Sequence, residues 1–82
     1  LIKQVVPFYP SPARISRISG TVRLLARIGR DGKVSEIRTL EGHPLLRRAA
    51  EDAVRQWVYS PTILNGVAVE VEAPIDVHFS LR

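Results

Sequence analysis

From Val67 to Leu81 every odd-numbered residue is apolar: Val67, Val69, Val71, Ala73, Ile75, Val77, Phe79 and Leu81. The even positions are mostly polar, with Glu70, Glu72, Asp76, His78 and Ser80. A period of two with one apolar face specifies a strand lying on a core. At about 3.3 Å per residue the run would reach roughly 50 Å, more than a chain of 82 residues is expected to span. Pro74 falls on the polar face and has no N–H for a ladder. The run is therefore expected to divide near Pro74 or to lie along a sheet edge, where a missing donor is harmless.

A second alternation runs from Gly20 to Arg30. Val22, Leu24, Ala26 and Ile28 share one face, and Arg23, Leu25, Arg27 and Gly29 the other. Arg30-Asp31-Gly32-Lys33 predicts a hairpin, with Asp-Gly supplying the two positive-φ positions of a type I′ turn. Val34 to Glu41 is the returning strand. Val34 and Ile37 stand three apart, so a bulge near Ser35-Glu36 is needed to put them on one face. Gly42-His43-Pro44 breaks that strand and opens a helix with Pro44 in first place. Leu45, Leu46, Ala49, Ala50, Ala53, Val54 and Trp57 then recur at helical spacing, giving a wide apolar stripe that must end before Pro61. Arg47 with Glu51, Arg48 with Asp52 and Glu51 with Arg55 are expected to pair along it, at about 0.2–0.5 kcal/mol each. Asn65-Gly66 marks another turn.

At the front, Pro7, Pro10 and Pro12 surround Phe8 and Tyr9. Each proline fixes its own φ and holds its predecessor extended, so Val6 to Ser11 reads as a stiff strip. Ser11 suits an N-cap, with Pro12 opening a short helix to about Arg17 and Gly20 closing the segment. Ala13 can pack inward with Ile15 or Arg17 flanking it, but the helix is too short for its period to decide. The fold class that follows is α+β. It has two layers: a small antiparallel three-stranded sheet (a β-hairpin plus the C-terminal strand) packed on one long helix, with a short N-terminal helix. One domain is expected over 1–82, with 1–10 its extended, Pro-rich leading segment. The chain opens on Leu1 rather than methionine, as expected of an excised domain or a processed product. No apolar run approaches the roughly 20 residues of a membrane helix, and no signal-peptide pattern is present.

Little here suits catalysis. There is no cysteine, which removes disulfides and thiolate metal sites. His43 and His78 alone do not make a zinc site. No serine sits in a Gly-x-Ser-x-Gly elbow, and Gly29 to Gly32 lacks the Gly-Lys-Ser/Thr of a phosphate loop. Asp76 and His78 stand i,i+2 on a strand face, a common surface pairing that also suits an oriented imidazole. Glu70 and Glu72 share a face, but two-carboxylate hydrolysis needs acids opposed across a cleft about 5–10 Å wide. A chain this short also leaves little volume for a pocket of about 300 Å³. The reading is therefore no enzyme and no cofactor.

The charge is basic, with 12 Lys and Arg against 8 Asp and Glu. It is also lopsided, because residues 1–41 hold eight of the cations and three of the acids. Arg23, Arg27 and Arg38 line the outer sheet face, but Phe8, Tyr9, Trp57, Tyr59 and Phe79 all fall elsewhere, so the stacking platform of an RNA-binding sheet is missing. No nucleic-acid partner is expected. What remains is the strand edge, a row of main-chain donors and acceptors that an incoming peptide can extend. The competing reading is an edge blunted by Pro74 and by charge. The same edge can join two copies of the chain into a homodimer.

Taken in order, these pieces resemble the TonB C-terminal domain family. They are Pro7-Phe8-Tyr9-Pro10, Ala13, Gly20-Thr21-Val22, Ile28, Asp31-Gly32-Lys33-Val34, Ala53-Val54-Arg55-Gln56-Trp57-Val58-Tyr59-Ser60-Pro61, Asn65-Gly66-Val67-Ala68-Val69 and Phe79-Ser80-Leu81. The resemblance implies a periplasmic energy-coupling domain, anchored to the inner membrane through a segment absent from this sequence and driven by ExbB/ExbD-like membrane proteins. It implies that the domain grips the box peptide of an outer-membrane transporter, of the kind serving siderophore or vitamin uptake, as an added strand. By position the gripping edge would be Ile75, Asp76, Val77, His78, Phe79, Ser80 and Leu81, with Pro7, Tyr9 and Pro10 near the transporter. Val22, Ile28, Trp57, Tyr59 and Phe79 would be family core residues. Val6 and Phe8 stand where the enteric prototype of the family has glutamines. The alternative it leaves is a TonB-like interaction domain in another envelope or signalling complex, not coupled to transport.

Overall fold

The alternation of Gly20 to Ile28 becomes a central strand, β1, whose Val22, Leu24, Ala26 and Ile28 are buried while Arg23 and Arg27 are exposed. The structure, a computed structural model, describes residues 1–81; Arg82, the last residue of the expected domain, lies outside the described residues. Around β1 the chain forms α1 (Ser11–Ile15), β2 (Val34–Glu41), α2 (Pro44–Val54), β3 (Thr62–Leu64), β4 (Val67–Val69) and β5 (Val71–Phe79). An antiparallel sheet in the order β2-β1-β5 packs one face on α2. This is the two-layer α+β architecture that the patterning predicts. Its core joins Val22, Leu24 and Ala26 to Ile75, Val77 and Phe79, with Leu46, Ala50 and Val54 from α2, and Ala13 and Trp57 at the two ends.

The long terminal run divides at Glu70, not near Pro74. Thr62-Ile63-Leu64 pairs with Val67-Ala68-Val69 as a separate hairpin, so the order holds two strands beyond those predicted. The molecule measures 49 × 21 × 16 Å, which means the length limit applied to the run does not hold. Its radius of gyration of 14.0 Å exceeds the about 12 Å of a compact chain this size. The projecting hairpin leaves Ile63, Leu64 and Val67 exposed.

The type I′ turn expected at Asp31-Gly32 forms at Asn65-Gly66 instead. Asn65 and Gly66, both at positive φ, form the two-residue loop that closes β3 on β4, as a type I′ turn requires. At Asp31-Gly32 only Gly32 has positive φ, at +85°. Gly32 N–H donates to Gly29 O (2.9 Å) and Gly29 N–H to Lys33 O (2.8 Å), which is a type I turn followed by a bulged glycine. The Asp31 carboxylate accepts the Lys33 N–H at 3.0 Å. Beyond this turn, Tyr59 N–H donates to Gly32 O (2.8 Å), and Val58 bridges Lys33 on one side and Lys3 on the other. The Asp-Gly-Lys-Val and Trp-x-Tyr-x-Pro segments are therefore neighbours in space. Burial there pushes the Tyr59 phenol above its ordinary pKa.

The expected bulge in β2 sits at Ser35, between the pairs Arg27↔Glu36 and Ile28↔Val34; a second, unexpected one sits at Leu40. Helix α2 ends at Val54, one turn short of Trp57, whose indole N–H donates to Val5 O at 2.9 Å. His43 caps the helix by accepting Leu45 N–H at Nδ1 (3.1 Å). The three expected i,i+4 pairs do not form. Glu51 turns towards the sheet and accepts from the Thr39 hydroxyl. Arg47 donates to Gly42 O at 2.7 Å, and Arg55 pairs with Asp52 instead, at 3.1 Å.

Helix α1 begins one residue early. Pro10 occupies the cap position, Ser11 makes no cap bond, and Arg14 N–H reaches Pro10 O at 3.0 Å. It ends in a Schellman motif: Ile18 N–H donates to Ala13 O (2.8 Å) and Arg17 N–H to Arg14 O (3.1 Å), around Arg17 at φ +55°. Glycine is the usual residue at that left-handed position, where an L side chain costs about 1–2 kcal/mol. Arg17→Gly is therefore expected to stabilise the domain by about 1 kcal/mol and to raise Tm by about 4–8 °C. A thermal melt followed by circular dichroism checks this.

Candidate strand-docking edge

A three-stranded sheet has two outer edges, and here they differ. Along β2 the bulges at Ser35 and Leu40 break the regular spacing of main-chain groups, a common way of blunting an edge. Strand β5 pairs with β1 without a shift, from Gly20↔Phe79 to Ile28↔Val71. No other strand lies on its outer side among the described residues.

The direction of its main-chain groups follows from the hairpin. Gly29 N–H points to Lys33 O, so Gly29 faces β2. Main-chain direction reverses at each residue of a strand, which turns Ile28, Ala26, Leu24, Val22 and Gly20 towards β5. Their register partners Val71, Ala73, Ile75, Val77 and Phe79 then spend their N–H and C=O groups on the ladder. Glu72, Pro74, Asp76 and His78 aim theirs outward. Pro74 therefore sits where the ladder asks for no donor. The outward rail carries N–H and C=O at Glu72, Asp76 and His78, and a C=O alone at Pro74.

Side chains along the rail divide by the same alternation. Ile75, Val77 and Phe79 are buried in the core and turn their main-chain groups to β1, so they back the edge without contributing a free group to it. Asp76 and His78 are exposed on the outer face. Asp76 lies 4.0 Å from Arg23, and His78 Nδ1 is 2.8 Å from the Thr21 hydroxyl. Ser80 and Leu81 follow the end of β5 and are exposed. Arg23 also approaches Glu41 (3.9 Å), and Arg27 approaches Glu36 (3.7 Å), so the arginines of the outer face alternate with carboxylates.

The leading segment splits the remaining candidates. Tyr9 lies under the end of β5: its ring meets Phe79 edge-on at 5.5 Å, and its hydroxyl donates to Ile18 O. Pro7 is half-buried. Pro10, besides capping α1, joins Val5, Phe8, Leu45 and Ala49 around a groove of about 370 Å³ against α2, on the other layer. Val6 and Phe8 are 83% and 76% exposed.

Two features escape sequence reasoning. One is the β3–β4 hairpin. The other is a hollow of about 480 Å³ past the end of β5, lined by Arg14, Arg17, Ser19, Ser80 and Leu81. The three-residue spacing of Arg14 and Arg17 was its only trace in the sequence. Among the described residues no three His, Cys, Asp or Glu side chains gather as metal ligands.

Residues 5–81 match the family model of the Gram-negative bacterial TonB protein C-terminal. The chain is 37% identical over 83 aligned positions to Protein TonB of Vibrio cholerae, covering 96% of this chain and 33% of that protein. It is 35% identical over 60 positions to Protein TonB of Klebsiella pneumoniae, covering 71% and 25%. The chain thus spans a third or less of the length of these relatives. The solution structure of the Pseudomonas aeruginosa TonB C-terminal domain superposes with a TM-score of 0.80 at 28% identity, covering 98% of this chain and 83% of that one.

Proposed function

The chain belongs to the Gram-negative bacterial TonB protein C-terminal family, and from that premise we propose that it is the periplasmic gripping domain of a TonB-like energy transducer. In this reading it takes the box peptide of an outer-membrane transporter as a strand added to β5. It passes on force generated by ExbB/ExbD-like proteins at the inner membrane, where the parent protein is anchored. The observation that carries the reading is the unshifted β5 edge, set against a β2 edge interrupted by two bulges.

No bond chemistry is required. Each added main-chain hydrogen bond contributes about 0.5–1.5 kcal/mol net. A peptide pulled along the edge loads the bonds at Pro74, Asp76 and His78 together, in shear. Ile75, Val77 and Phe79 fix the rail from behind, because their side chains are locked in the core.

Titrating the ¹⁵N-labelled domain with a box-like peptide tests this. The largest amide shifts are expected over residues 72–81, with slowed hydrogen exchange at the Asp76 and His78 amides. Shifts confined to the Arg23/Arg27 face, with none in 75–81, would overturn it.

A further inference from the structure

Main-chain pairing alone does not choose a register, since every peptide offers the same groups. The hollow past the end of β5 supplies a selective element. Arg17 lines it from the strained left-handed position at φ +55°. Arg14 lines the same hollow, its guanidinium 5.9 Å from the centroid of the Tyr9 ring, and that ring is held by Phe79 and Ile18. Among the described residues neither arginine is engaged by a carboxylate, a state they share with Arg30, Arg38, Arg47 and Arg48, but of these only Arg14 and Arg17 line the hollow beside the end of β5.

We propose that Arg14 and Arg17 form a carboxylate-reading site for an Asp or Glu side chain on the strand added to β5, at the end that lies beside Ser80. The inference rests on the strand-addition reading and adds a register and a charge to it. Charge-assisted bonds from guanidinium to carboxylate are about twice as strong as neutral ones. A slip of two residues would carry the carboxylate about 7 Å away, out of reach of both arginines. The opposite end of the rail carries Glu70 and Glu72, both exposed, and the Arg27 beside them already approaches Glu36, so the acids there disfavour a further carboxylate. Attraction at one end and repulsion at the other select one placement.

The probes are short, doubly capped peptides of alternating Thr and Val. One carries Glu at its first position, one carries Glu at its last, and one carries Gln at both. Each is titrated by NMR into the unaltered domain and into the Arg14→Gln/Arg17→Gly double variant. One Glu peptide is expected to bind the unaltered domain about tenfold more tightly than the Gln peptide, equivalent to about 1.4 kcal/mol. That margin should disappear in the double variant and shrink at high salt, while the Gln peptide binds both proteins equally. Which Glu peptide gains also reports the direction of the added strand. A margin that persists in the double variant, or no margin in the unaltered domain while the Gln peptide binds, overturns the site and leaves strand addition standing. If no peptide binds the unaltered domain, strand addition fails and the inference fails with it.

Discussion

Gly32→Ala is expected to leave most of the domain unfolded in mild denaturant, with a loss of about 3–5 kcal/mol. A methyl group on Gly32 would collide with the Tyr59 carbonyl oxygen and stand 3.0 Å from the Tyr59 carbonyl carbon. Both obstacles are backbone, so no side chain can move aside. The position also has φ +85°, which costs an alanine about 1–2 kcal/mol. Relief requires prising the turn away from Tyr59, losing the Tyr59 N–H to Gly32 O bond and its about 0.5–1.5 kcal/mol, and loosening the Trp57 packing beside it. A chain of this size has about 4–12 kcal/mol in all. Gly66→Ala is the matched control. Its φ is similar, at +80°, but nothing lies within 4 Å of the added methyl, so it should cost only about 1–2 kcal/mol. Urea unfolding of both variants, compared by midpoint at unchanged slope, decides. Equal losses would show that the packed turn adds nothing beyond its dihedral.

Asp76→Pro is expected to fold and to lose peptide binding by about tenfold or more. The Asp76 N–H points outward and takes no part in the ladder, so the ring removes only a donor that an added strand would use. Pro74 already occupies the equivalent place on the same strand. The lost contact with Arg23 is an exposed pair, worth about 0–1 kcal/mol. Val77→Pro sits one residue on, where the N–H faces β1. It should not fold, because it breaks a central ladder bond and removes a buried side chain. Circular dichroism separates the two variants, and the peptide titration measures the first. Full affinity in Asp76→Pro would remove β5 as the docking edge.

The parts of the fold legible in the sequence are those with a sustained period. β1, α2 and β5 each show several repeats of their pattern, and the Ser35 bulge follows from the broken phase of Val34 and Ile37. Thr62-Ile63-Leu64 is too short to show any period, so β3 was invisible although its Asn-Gly turn was not. Asp31-Gly32 and Asn65-Gly66 look alike as dipeptides. What separates them is Tyr59, which packs on the first and leaves the second in solvent, and that contact joins residues far apart in sequence. The open β5 edge was legible because Pro74 lies on the polar face of an alternating run. The arginine hollow was not, because a loop conformation at Arg17 and the C-terminal end of β5 build it together. The expected i,i+4 pairs failed for a related reason: helical spacing says which side chains can meet, while Glu51 had a better partner on the sheet.

If the chain carries tension as proposed, the attachment of its leading segment decides how the load enters. Ile2 and Lys3 both donate to Val58 O, and Val58 N–H returns to Lys3 O. Val5 O is held by the Trp57 indole two residues further on. A pull arriving from upstream of Leu1 would meet these links one after another, each bearing the whole load in turn, and would peel them off singly. The leading strip is then the compliant element and the β5 edge the stiff one. Under the proposed loading, a sudden jerk would be absorbed by the bridge at Val58 parting and re-forming before it reached the β5 edge.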